Sequence, residues 1–159
     1  MLTEDQITSV WERLLASEVR ALYFGELASR YTVQKQWISG LSFFLAGSAA
    51  ATIVAKSPVW LPILLACITA VLSAYSIARG LDGATRTMSR FQFAWGELAA
   101  GYEALWNSTW HEDAGTRLAL LVARENDLSS QASTEAPNNQ SRLDYWQQQV
   151  FKQHHLTAT

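Results

Sequence analysis

Residues 36–78 read QWISGLSFFLAGSAAATIVAKSPVWLPILLACITAVLSAYSIA and hold a single charge, Lys56, in 43 positions. The other 116 residues hold 25 of the chain's 26 charges, so a mean hydropathy near zero averages two unlike parts. Gln36–Ala55 is a charge-free run of 20 residues and Ser57–Ala78 one of 22. At about 1.5 Å of rise per residue, each helix would reach roughly 30 Å, the hydrocarbon thickness of a bilayer. We therefore read Trp37–Ala55 and Val59–Ala78 as transmembrane helices joined by Lys56-Ser57-Pro58. Pro58 and Pro62 fall at the start of the second helix, where a missing N–H costs least. Two adjacent runs this long without an interior charge argue against a buried hairpin of a soluble protein. The first 35 residues carry nine charges and no early apolar core, so no signal peptide is expected.

Basic residues near the span ends set the expected orientation. Arg30 and Lys35 precede the first span, Arg79, Arg86 and Arg90 follow the second, and the hairpin has only Lys56. The positive-inside rule then places both termini in the cytoplasm. Trp37 and Tyr75 would lie near the inner interface and Trp60 near the outer one.

The two spans differ in composition. The second has nine strongly apolar residues, which drive insertion. The first has seven, with eleven small residues among its nineteen. Gly40, Gly47 and Ala51 are candidate packing positions, because small residues let helix backbones approach closely in lipid. One partner helix within the chain is too few for such a surface, so a homo-oligomer is expected, with a tetramer as the working subunit count. Thr69, Ser73, Ser76 and Gly80 recur at spacings of 4, 3 and 4 on one face of the second span. They are candidates for lining a weakly polar conduction path. The alternative is hydroxyls bonded to their own helix or to a neighbour. Neither span contains Asp, Glu, Lys or Arg, which argues against a proton relay or a charged filter inside the bilayer.

Both flanks are helical by pattern. Leu81, Ala84, Met88, Phe91, Trp95, Leu98, Tyr102 and Leu105 form a heptad seam after the second span. Ile7, Val10, Leu14, Ser17, Ala21, Phe24, Ala28 and Tyr31 form one before the first. An antiparallel cytoplasmic pair extending the hairpin is the simplest packing, with both helices running into the spans without a Pro break. Asn107-Ser108-Thr109 interrupts the second seam, and Thr109 with Glu112 suggests a capping box opening a further helix near Trp110. The expected organisation is an amphipathic helix at 1–36, a hairpin at 37–78 (spans 37–55 and 59–78), amphipathic helices at 79–128, a polar flexible linker at 129–141, and a short amphipathic helix with its tail at 142–159. The fold class is thus all-α, integral membrane and homo-oligomeric. The last helix either docks on its own domain or serves as an interaction element.

Much chemistry is missing. One Cys excludes a disulfide framework, and Cys67, mid-span, reads as a packing residue. No phosphate loop, G-x-S-x-G or His-x-x-x-His pairing occurs, so no catalytic residue, metal or cofactor is assigned and an enzyme is not expected. His111-Glu112-Asp113 are sequence neighbours that do not face one another on a helix. A net charge of −2 gives no reason to expect duplex DNA as a partner.

A charged amphipathic helix, a short-loop two-helix hairpin and then a long amphipathic helix with aromatic seam residues resemble the SLATT family of two-transmembrane effectors. The resemblance covers roughly Glu18–Leu128 and leans on Tyr31-x-x-x-Lys35-x-Trp37, the hairpin and Arg86–Trp106. These are patterns of type and spacing. The resemblance implies an oligomeric, membrane-permeabilising effector of anti-phage defence in the bacterial inner membrane, governed by a nucleotide or oligonucleotide signal from a partner nucleotidyltransferase. It carries no ligand motif over. Phosphate groups would need basic residues in the cytoplasmic part. Arg79, Arg86 and Arg90 are candidates, with inside-flank anchoring as the alternative role, and Arg117 and Arg124 lie seven apart on another helix. The resulting expectation is a pore that depolarises the membrane. A non-conducting helical scaffold and a phage holin are the alternatives.

Overall fold

The computed structural model describes residues 1–54, 58, 60–78 and 80–156, with side chains described at 1–48, 58, 60–78 and 80–156. Among the described residues there are five helices and no strand: α1 (Glu4–Val54), α2 (Trp60–Ala78), α3 (Leu81–Trp106), α4 (Ala114–Glu135) and α5 (Gln140–Gln153). The chain divides into two compact units, Met1–Leu27 with Thr87–Thr159, and Ala28–Arg86.

The first unit is a helical bundle built on two apolar seams. Met88, Phe91, Trp95, Leu98, Tyr102 and Leu105 of α3 are at most 2% exposed, and Val10, Leu14, Ser17 and Phe24 of α1 are buried with them. Phe24 stacks near Phe91 (5.2 Å between centroids) and Trp11 near Trp106 (5.1 Å). Rising numbers on α1 thus meet falling numbers on α3, which makes the pair antiparallel. α4 returns along α3, tied by the ion pairs Arg90–Glu135 and Arg124–Glu97. Gly101 permits this approach, since a Cβ there would lie 2.8 Å from Leu121 Cδ2. α5 lies antiparallel on α1. Val150 is fully buried against Leu15 and Val19, and Trp11, Leu143, Trp146 and Phe151 close around them.

Two expectations for this unit are corrected. Residues 129–135 belong to α4, and only Ala136–Asn139 connect it to α5. Ser, Gln, Ala and Thr cost a helix only tenths of a kcal/mol each, up to about 0.7. Here Leu128 is buried, while Arg90 holds Gln131 (3.4 Å) and Glu135 (3.2 Å) from α3. The connection is pinned: the Tyr23 hydroxyl donates to the Pro137 carbonyl (2.5 Å) and accepts from the Asn139 N–H (3.2 Å). The second correction concerns the helix expected near Trp110. Residues 107–113 form successive turns and α4 starts at Ala114, with Asp113 as an N-cap that makes no side-chain cap bond. The N-terminus occupies this corner instead. Its ammonium donates to the His111 carbonyl (2.8 Å), and the Leu2 N–H donates to that of Thr109 (3.0 Å).

The second unit contains the apolar stretch. One helix among the described residues is long and apolar enough to cross a membrane, where the sequence reading expected two; its apolar window starts in α2, and no residue of that window is buried. The other expected span, Trp37–Ala55, is described as helix through Val54, and its side chains are described only as far as Ser48. Large apolar side chains point outward on both helices: Trp37 is 75% exposed, Phe43 84% and Ile77 80%. Lys35 pairs with Asp82 (2.5 Å) and Leu81 is buried.

α2 does not continue unbroken into α3. Gly80 has φ +56° and its N–H donates to the Ile77 carbonyl (3.0 Å), a left-handed helix end that glycine adopts without Cβ strain. Gly80 is therefore a turn residue just past the end of α2, whereas Thr69, Ser73 and Ser76 lie within the helix.

Candidate functional site

The densest polar feature among the described residues lies inside the first unit. Glu125, 9% exposed, sits at a seam position of α4, spaced 3, 4 and 3 with Leu118, Leu121 and Leu128. A carboxylate on that face must be paired. Glu125 Oε2 accepts from Arg13 (2.5 Å) and from the Tyr102 hydroxyl (2.8 Å), and Oε1 accepts from Arg20 (3.4 Å). Arg13 and Arg20 stand two turns apart on α1, so both guanidiniums reach one carboxylate. Burial by itself would lower the Arg13 pKa. The hydrogen bond and charge of Glu125 outweigh it, and the guanidinium ends above its usual value. Burial, reinforced by Glu125, pushes the Tyr102 phenol well above the ordinary tyrosine range. Arg20 also lies over the Trp95 ring, 4.6 Å from its centroid. Trp95 Nε1 and Ser17 Oγ are buried without a hydrogen-bond partner.

A second polar line joins α1 to α5. Glu26 accepts from Trp146 Nε1 (2.8 Å) and pairs with Arg142 (3.6 Å), and Glu18 contacts His154 Nε2 (2.8 Å). These contacts flank the Leu15–Val19–Val150 core. The last helix is therefore docked on its own chain, one of the two roles left open by its sequence.

The candidates drawn from sequence are scattered over different elements. Thr69 is half-buried and its hydroxyl donates to the Leu65 carbonyl (2.9 Å) of its own helix. Ser73 is exposed and Ser76 half-buried. Gly40 and Gly47 are open on the side where a Cβ would project, and the side chain of Ala51 lies outside the described residues. Arg79 also lies outside them. Arg86 is exposed on the first turns of α3. Arg90 is engaged with Gln131 and Glu135, Arg124 with Glu97, and Arg117 with Ser108 Oγ (3.2 Å). Arg90, Arg117 and Arg124 thus make intramolecular contacts and do not converge on one point. Sequence reading passed over Arg13, Arg20, Trp95, Tyr102 and Glu125 as a group. The legible signal was a lone carboxylate in the α4 seam, with two arginines seven apart beside the α1 seam.

No family model, curated protein or solved structure matches this chain.

Proposed function

We propose that this protein is a membrane effector that oligomerises through its apolar helices into an ion-conducting pore. The observation that carries the reading is α2, which is long and apolar enough to cross a bilayer and buries none of its residues within the chain. Leaving that surface in water would forfeit roughly 25 cal/mol for each Å² of apolar area, so lipid or further subunits must cover it. In this reading residues 37–55 supply a second span and complete a hairpin with both termini in the cytoplasm of a bacterial inner membrane. Gly40 and Gly47, open in the single chain, become contacts between subunits of a homo-oligomer, with four as the working number. Ser73 and Ser76 border the path. The bundle of the first unit restrains the pore, and a nucleotide or oligonucleotide from a partner enzyme shifts the balance between two packings. The cellular outcome is depolarisation and growth arrest during phage infection, and the chain itself catalyses nothing.

The Thr69–Leu65 hydrogen bond favours a second reading, a membrane-anchored scaffold with a dry α2 face. Ion flux from liposomes carrying the purified protein separates the two. Flux that changes in Ser73→Leu supports the pore. Absence of flux, alone and with cyclic or linear oligonucleotides, rejects the pore in favour of the scaffold.

A further inference from the structure

α5 is the separable helix of the first unit. Val150 is the one buried residue among its fourteen, and the small apolar cluster it joins is made by α1 and α5. The packing beside it is loose. Cavities of about 260 and 490 Å³ both border Leu143 of α5 and Arg20 of α1. Protein interiors are otherwise close-packed, and elements with few buried contacts open locally before the whole domain unfolds. α4 and α5 form a hairpin closed by only Ala136–Asn139. Such short hinges invite exchange of an element between identical chains.

The contacts of α5 divide into two kinds. Glu26 with Arg142 and Trp146, Glu18 with His154, and Leu15 and Val19 with Val150 all join α5 to α1. The α5 of another copy can make every one of them. The two hydrogen bonds of the Tyr23 hydroxyl, to the Pro137 carbonyl and from the Asn139 N–H, instead grip the bend itself and are given up on exchange. The occupant is fixed by chemistry: an apolar stripe flanked by the carboxylates of Glu18 and Glu26 takes an amphipathic helix with basic and indole donors, the pattern α5 carries. From these features we propose that α5 is an exchangeable arm. It leaves its own α1 and docks at the same place on α1 of a second copy, and Tyr23 is the latch that favours the closed chain. This surface lies within the first unit and does not depend on conduction.

The test divides one ion pair between two full-length chains in detergent micelles. Glu26→Arg sets two guanidiniums against each other, and Arg142→Glu sets two carboxylates. Exchange between the two variants relieves both conflicts at once. Hydrogen exchange over residues 140–153 should be about tenfold faster in either variant alone and slow again on mixing, while residues 88–105 of α3 keep their protection. Adding Tyr23→Phe to both chains should speed the recovery. Unchanged protection in the separate variants, or no recovery on mixing, overturns the proposal. A second measurement needs no charge reversal. Val19→Cys and Val150→Cys on separate chains, each with Cys67→Ser, are mixed and oxidised, so a disulfide joining positions 19 and 150 must lie between chains. It should form several times faster than one from Gln148→Cys, on the exposed side of α5, and equal rates overturn the proposal. Association through the apolar helices brings chains together without restoring the reversed pair, and liposome flux is read separately, so failure of the arm and failure of the pore are distinguishable.

Discussion

Replacing Glu125 by Gln preserves side-chain volume and removes the charge that two guanidiniums and a phenol share. Breaking a fully buried ion pair costs about 3–5 kcal/mol. Here the Arg13 and Arg20 side chains are 34% and 39% exposed, so water recovers part of that, and about 2–3 kcal/mol remains. For a domain of about 100 residues, each kcal/mol moves the melting temperature by roughly 4–8 °C, so a fall of about 10–20 °C is expected. Glu125→Leu should cost more, because the buried Tyr102 hydroxyl then loses its acceptor as well. The internal comparison is Glu97→Gln. That variant breaks the Arg124 pair, whose side chains are about half exposed, and should cost less than about 1 kcal/mol. Thermal unfolding of all three full-length variants, followed by circular dichroism in one detergent, measures the difference. A Glu125→Gln protein that melts with Glu97→Gln would refute the view that this carboxylate organises the bundle.

Three further outcomes follow from single positions. Gly80→Ala should destabilise the second unit by about 1–2 kcal/mol from the positive φ alone, since its Cβ would meet nothing within 4 Å. Asn should be tolerated better than Ala there, and equal melting of the two would show that the left-handed turn is not retained. Gly96→Ala should stabilise α3 by about 1 kcal/mol, its added methyl also meeting nothing, whereas Gly101→Ala gains less because Leu121 must move. A lowered melting temperature for Gly96→Ala would mean that another molecule covers that face. The Tyr102 phenol ionises near 10.0 when unfolded and at higher pH when folded. Its contribution is therefore complete below about pH 10 and is lost as pH rises above it. Melting temperatures from pH 8 to 11 should fall less steeply in Tyr102→Phe than in the parent, and parallel curves would contradict the assignment.

Sequence periodicity located the two seams because burial follows the helical repeat. Phe91, Trp95, Leu98 and Tyr102 recur at the spacing that places them on one line, and all four are fully buried. Composition likewise marked α2, where nineteen residues contain no charge. The end of α4 was misjudged for a related reason. Ser129–Glu135 has the polarity of a linker, but Leu128, Arg90 and the pinned Pro137 supply long-range contacts that local composition does not encode. The turn at Gly80 was hidden because its spacing from Ser76 fits a helical stripe as well as a helix end. Position along the chain determined which faces are apolar. Only tertiary packing decided their partners: that Arg13 and Arg20 meet Glu125, more than 100 residues away, that α5 covers Leu15 and Val19, and that Arg90, Arg117 and Arg124 each engage a different partner within the first unit. The physical reason is that hydrophobic burial depends on a local repeat, whereas a charge is satisfied by whichever opposite group the fold brings within reach.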